Sequence, residues 1–404
     1  MTKILAVFIF LFLGNTCFGQ GLQKQRFLDD LKYLQAELPA RHFNLFAKMT
    51  PKEFGSRLEK IKSRLDHLDQ SGFTNELYKL LKAIGDEHTK VEPAYEQTFP
   101  LTFDTFSEGT FVVRTDGEND HLLYAKLRKI DGRSLSKVTS MLKEVLNDEN
   151  ESYFNVYSNY YLSNPSFLKG LTVLNSPDHG LYSFKTLSEG LLDVELYPKP
   201  RLEFIKSNDK NNKIKLLRYS RPDNYWYSYD PNTRTIYFNY QRCAADQKIP
   251  FQSFCDSLFS TIEKTRPEKI VLDLRANSGG NSAILQPFLD KIGSSYLNKK
   301  GSFFVFIGKS TFSSALMNAI ELKRRFNTIL VGELTSGNIN HFGETRRLTL
   351  PNTGINISYS TKFWENWKEK NGALQPDVKI RYSISSFRKN IDEAMEFTSA
   401  YVRP

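Results

Sequence analysis

Apolar positions in this chain recur with three different rhythms. From Gln20 to about Tyr95 they fall at helical spacing. Phe27-Leu28-Asp-Asp-Leu31-Lys-Tyr-Leu34 and Leu77-Tyr-Lys-Leu80-Leu-Lys-Ala-Ile84 each place them at i, i+3 and i+4, one face of a helix. Thr50-Pro51-Lys-Glu53 is a helix start, a threonine cap followed by proline in the first turn. From Glu96 to Arg221 the runs shorten and fill with Thr, Val, Phe and Tyr between Gly, Asp and Asn, a strand pattern. There, Leu127–Ile130, Asp131-Gly132 and Ser134-Leu135 predict a strand, a turn and a helix start, and the polar cluster Ser207–Lys213 predicts a surface turn.

From Thr235 onward the two rhythms alternate. Strands are expected over Ile236–Tyr240, Lys269–Leu274, Ser302–Ile307 and Thr328–Val331. Helices are expected over Phe251–Thr265, Ser282–Ile292 and Ser314–Arg325, then a hairpin over Gly343–Ser360 around Pro351-Asn-Thr-Gly354. Alternation of this kind predicts an α/β fold with a mostly parallel sheet covered by helices. The organisation expected is 20–95 helical, 96–225 β-rich, 230–385 an α/β core, and 386–404 a C-terminal helix or tail.

With 404 residues, 40% hydrophobic and 25% charged, the chain can bury a sizeable core. Its net charge of +10 is spread out, with no basic block or nucleic-acid motif, so a nucleic-acid partner is not expected. Lys3, the apolar run Ile4–Gly14 and the small residues Cys17 and Gly19 make 1–19 a secretory signal peptide. Gly14-Asn15-Thr16 is a poor context for a lipidated Cys17. The expected location is therefore periplasmic or secreted, with no integral membrane segment once the signal is cleaved. Cys243 and Cys255 are either a disulfide or two buried thiols.

Candidate chemistry gathers at two strand ends. Ile270-Val-Leu-Asp-Leu-Arg-Ala-Asn-Ser-Gly-Gly280 is an apolar run ending in a glycine-rich turn, and Phe303–Ile307 leads into Ser310-Thr-Phe-Ser-Ser-Ala315 at a helix start. A helix start presents free N–H groups and the positive end of the dipole, which suit a serine nucleophile and its oxyanion. Ser313 is the leading nucleophile, and Gly279 and Gly280 allow close backbone approach to a substrate. A serine needs a base within reach, and His88 in Gly85-Asp-Glu-His-Thr89 and His341 on a glycine-bounded loop are candidates. Each has a plainer reading: Ser313 as a helix cap, the histidines as polar loop groups, the glycines as a tight turn. Ser134-Leu-Ser-Lys137 matches a short Ser–Lys pattern that arises by chance, and no G-x-S-x-G elbow or zinc-ligand spacing is present.

As a set, Asp273-Leu-Arg-Ala-Asn-Ser-Gly-Gly280, Thr311-Phe-Ser-Ser-Ala315, Val331-Gly-Glu-Leu-Thr-Ser-Gly337, Leu350-Pro-Asn-Thr-Gly354 and Pro376-Asp377 resemble the ordered landmarks of the S41 serine peptidases, the tail-specific and tricorn-core family. Gly85–Thr89 resembles the D-G-H-T segment of its non-processing members, with Glu87 in place of glycine. Ile130-Asp-Gly132 resembles a turn of the PDZ-like domain in processing members. The resemblance implies a crotonase-like core, Ser313 as nucleophile, and an oxyanion hole from the N–H groups of Ser314 and of Gly279 or Gly280. It also implies a serine endopeptidase acting on extended or unfolded peptides without metal or cofactor. The processing members' lysine base falls at Asn338, twenty-five positions after Ser313. Either His88 is the base, assisted by a carboxylate matching Glu369 or alternatively Glu365, or the protein is an inactive peptide- or ligand-binding module.

Overall fold

The computed structural model describes residues 2–92, 95–148, 150–188, 190–210 and 214–402, with the side chains of 2–20 and 208–210 left out of account. Its centre is a six-stranded sheet in the order Tyr225–Asp230, Thr235–Tyr240, Lys269–Asp273, Phe303–Ile307, Thr328–Gly332 and Val378–Lys379. Only the first pair is antiparallel. All residues of the four inner strands are buried, as expected of parallel strands covered on both faces.

Side-chain alternation divides those strands between two layers. Ile236, Phe238, Ile270, Leu272, Phe303 and Val305 pack with Phe254, Leu258 and Ile262 of the Phe251–Thr265 helix and with Phe288 and Leu316. Tyr237, Val271, Phe304, Phe306 and Val331 face the other way, onto Ala394 and its neighbours in the Glu393–Ala400 helix. Lys269 fastens that last helix by donating to the carbonyls of Thr398, Ser399 and Tyr401 at 2.7, 3.1 and 3.0 Å. Cys243 and Cys255 are buried and unpaired.

The fold is mixed α/β, with a helical N-terminal region and β-rich sheets. Helices Pro51–Lys62 and Gln70–Ile84 pack in one continuous core with the antiparallel sheet of Leu101–Phe106, Gly109–Thr115, Lys126–Ile130, Gly180–Lys185 and Leu191–Leu196. Thr50 caps the first helix in a full capping box with Glu53. One prediction fails. Arg201–Lys210 is a helix, so Ser207–Lys210 continue it and are not a turn, while 211–213 lie outside the described residues.

A three-residue strand decides the site's geometry. Lys90–Glu92 pairs antiparallel with Asn356–Trp364, which itself pairs with His341–Thr349. The N-terminal segment thus adds an edge to a hairpin that follows the parallel sheet, and the turn just before it, Gly85–Thr89, is carried to the sheet's C-terminal edge. No helix among the described residues is long and apolar enough to cross a membrane.

Candidate active site

Two loops leave adjacent parallel strands and are laced together. Thr311 Oγ1 donates to the Leu274 carbonyl at 2.8 Å, the Thr311 N–H to the Gly308 carbonyl at 2.8 Å, and the Phe312 N–H to the Asn277 carbonyl at 3.1 Å. Asp273 and Arg275 brace the first loop. Arg275 donates to both Asp392 oxygens at 2.8 Å and to Asp273, which also accepts from the Tyr237 hydroxyl at 2.5 Å. Asn277 donates to the Tyr240 carbonyl at 2.8 Å. In Asp273–Gly280 the charged residues and the asparagine are therefore architecture, and the glycines are left for close approach.

Ser313 stands at the start of the Ser314–Arg325 helix with φ 51° and ψ −125°. A non-glycine residue in this region costs about 1–3 kcal/mol and persists only where its surroundings impose it. Its side chain makes no capping hydrogen bond. The plain helix-cap reading therefore fails, and the hydroxyl is half-buried and uncommitted. Gly279 faces it so closely that a Cβ there would lie 2.9 Å from Ser313 Cβ and 3.1 Å from the Ser314 nitrogen. The two candidate glycines differ in their N–H groups. That of Gly279 is spent on Asn277 Oδ1 at 2.9 Å, whereas the Gly280 and Ser314 N–H groups have no protein acceptor among the described residues.

His88 is 7% exposed and lies stacked on Phe312, the residue before Ser313, with ring centroids 4.5 Å apart. His341 stacks near it at 5.4 Å. Neither ring nitrogen of His88 has a hydrogen-bond partner, so it is not bonded to the Ser313 hydroxyl or to any carboxylate. Burial pushes its pKa down to about 3, reinforced by His341 and Lys90 and opposed by the Asp86 charge. Asp86 does not orient the ring. It accepts from the His88 N–H (2.9 Å), the Thr89 hydroxyl (2.5 Å) and His42 Nε2 (3.0 Å), and so shapes the turn. Burial would raise the Asp86 carboxyl, but the hydrogen bonds from His42 and Thr89 outweigh it and hold the carboxyl at about 2. The Ser358 hydroxyl fixes the His88 carbonyl at 2.8 Å.

The remaining candidates are placed differently. His341 donates from Nδ1 to the Asn338 carbonyl at 2.8 Å, which leaves Nε2 with the lone pair, and burial lowers its pKa. Glu369 and Glu365 are exposed, and neither bonds His88. Ser134 caps its helix by accepting from the Lys137 N–H, a structural role.

Sequence reasoning missed Glu87 as a positioning residue. Its buried carboxylate accepts from Asn338 Nδ2 at 3.0 Å and from the Asn338 N–H at 3.3 Å, and Tyr153 donates to its carbonyl at 3.0 Å. The two residues that depart from the S41 pattern are thus one contact, tying the His88 turn to the loop after Gly337. Glu87→Ala strands the Asn338 donors and is expected to cost about 1–3 kcal/mol. Thermal melts of Glu87→Ala, Asn338→Ala and the double variant check this; a coupling below about 0.5 kcal/mol would mean the contact is idle.

No protein-family model and no curated protein matches the chain. Among solved structures it resembles a point mutant of CPAF at TM-score 0.68 and 12% identity, over 95% of this chain and 99% of that one. Mature CPAF aligns at TM-score 0.65 and 13% identity, over 93% and 96%. The photosystem II D1 C-terminal processing protease is a looser match at TM-score 0.42 and 10% identity, over 89% and 93%. At these identities the CPAF likeness is one of fold, extending over nearly the whole of both chains.

Proposed function

We propose that this chain is an exported serine peptidase of the S41 type, with a crotonase-like core, that hydrolyses peptide bonds in extended or unfolded polypeptides. One observation carries the reading: Ser313 is held at positive φ with its hydroxyl uncommitted, one residue from a ring that packs against the unpaired His88. The fold shared with CPAF and the S41 landmarks support the same class.

The Ser313 oxygen attacks the substrate carbonyl and His88 takes its proton. The N–H groups of Ser314, at the start of its helix, and of Gly280, in the facing loop, neither with an acceptor among the described residues, receive the oxyanion. Expulsion of the amine, with the proton returned from His88, leaves an acyl ester on Ser313 that water then hydrolyses. A buried base with neither nitrogen satisfied is costly, and its retention suits a group that receives its partner only as substrate orders the site. The secretory leader read in 1–19 supports export.

A fluorophosphonate probe and an unstructured protein substrate test this together, with adducts and cleavage sites read by mass spectrometry. Labelling at Ser313 and cleavage at defined bonds are expected. An unlabelled, folded protein that retains peptides without cutting them would move the assignment to a binding module.

A further inference from the structure

A cavity of about 400 Å³ lies between the Gln70–Ile84 and Pro165–Gly170 helices and the hairpin that receives the Lys90–Glu92 strand. None of the catalytic candidates lines it. Its volume falls in the range of small-molecule sites. One wall is the Leu350–Gly354 turn, a family landmark for which the catalytic reading has no use. Buried Asp30 accepts from the N–H groups of Asn352 and Thr353 at 2.8 and 2.9 Å, so this wall is held in place by the fold.

Two buried asparagines line the cavity with unspent hydrogen-bonding atoms. Asn75, 3% exposed, donates from Nδ2 to the Phe167 carbonyl at 3.3 Å. Asn164, 2% exposed, accepts at Oδ1 from the Phe167 N–H at 3.0 Å. These bonds fix both amides, since only the NH₂ can meet a carbonyl and only the oxygen can meet an N–H. What remains is an acceptor, Asn75 Oδ1, and a donor, Asn164 Nδ2, neither with a partner among the described residues. Polar groups this deep are normally paired, and two of opposite sense around one residue call for a partner that supplies both.

A hydroxyl does so, donating to Oδ1 and accepting from Nδ2. The rest of the wall has the same character. Ser71 and Thr74 bring further hydroxyls, and Val91 and Ile355 bring apolar surface. The only charged lining residues, Glu92 and Arg347, cancel in an ion pair at 2.7 Å, so no charge is left over for an ionic ligand. A molecule that fills such a space with hydroxyls on its edge and C–H groups on its faces is a sugar. We propose that this cavity binds a neutral saccharide, whose hydroxyls meet Asn75 and Asn164 and whose C–H faces meet Val91 and Ile355, at a site separate from the Ser313 chemistry.

The test titrates the full chain with glucose, N-acetylglucosamine and maltose, read by saturation-transfer NMR. Glucuronate and glucosamine serve as charged counterparts, and N-acetylglycinamide as a neutral amide. At least one neutral saccharide is expected to bind with a Kd of about 1 mM or tighter, and at least about tenfold tighter than the charged sugars. Asn164→Asp keeps the oxygen that accepts from Phe167 and removes only the donor. Ser166→Trp, at an exposed position lining the cavity, fills space without touching these bonds, and it keeps the test decisive if Asn164→Asp destabilises the fold. Each is expected to weaken binding at least about tenfold. Binding of no saccharide, binding that Ser166→Trp leaves intact, or tighter binding of N-acetylglycinamide or of a charged sugar overturns the proposal. Ser313→Ala leaves the cavity whole and should bind as the wild type does, so failure of the peptidase reading would leave this result standing.

Discussion

Ser313→Ala is expected to lower cleavage of an unfolded substrate by about 10⁴–10⁶-fold, the loss that removes the nucleophile from a serine hydrolase. The variant should stay folded, because the Ser313 side chain makes no capping bond that its removal would break. Strain provides a second readout. At φ 51° alanine is no more comfortable than serine, whereas glycine is at ease. Ser313→Gly should therefore be more stable than Ser313→Ala by about 1 kcal/mol in thermal melts, while equally inactive. Both effects have one cause: the backbone is bent to present a hydroxyl. Undiminished cleavage by Ser313→Ala would remove Ser313 from the mechanism. Equal stability of the two variants would mean that the bend carries no strain.

Much of the central sheet was legible because parallel strands buried on both faces read as unbroken apolar runs. The helices Phe251–Thr265 and Ser314–Arg325 match their expected limits, since period and boundary signals agree there. Ser207–Lys210 was misread as a turn because Ser, Asn and Asp, which mark turns, also occur in the last turn of a helix. At the site, sequence pattern could nominate Ser313 but could not tell a cap from a nucleophile. The cap is ruled out only by a backbone angle and by a hydrogen bond that is absent.

The approach of His88 to a residue more than two hundred positions away depends on the three-residue Lys90–Glu92 strand, too short to carry periodicity. The Glu87–Asn338 contact was visible only as two separate departures from a family pattern, and their pairing is a fact of space. Glu369 was chosen by position along the chain, and the structure leaves it in solvent.

His88→Ala is expected to cost about 10²–10⁴-fold in kcat/KM, the usual contribution of a general base, and to exceed the effect of His341→Ala. Acid titration separates the two histidines further. Burial holds the folded-state pKa of His88 at about 3, against about 6.5 in the unfolded chain, so the folded protein favours the neutral ring. That preference is fully present above pH 6.5 and is lost as pH falls toward 3, because the unfolded chain takes up the proton first. Within this window His88 should remove about 1.4 kcal/mol of stability per pH unit, roughly 2 kcal/mol by pH 5. His88→Phe keeps a ring against Phe312 and has nothing to protonate, so its urea-unfolding stability should fall less steeply with acid. His341, also depressed by burial, contributes to both proteins and cancels in the difference. Cleavage by the wild type should likewise show no acid limb near pH 6.5, since the base stays neutral well below it. Parallel acid slopes for wild type and His88→Phe, or a limb at the ordinary histidine pKa, would mean that His88 meets water in the free enzyme, and the closed, unpaired ring would no longer be the state from which substrate binds.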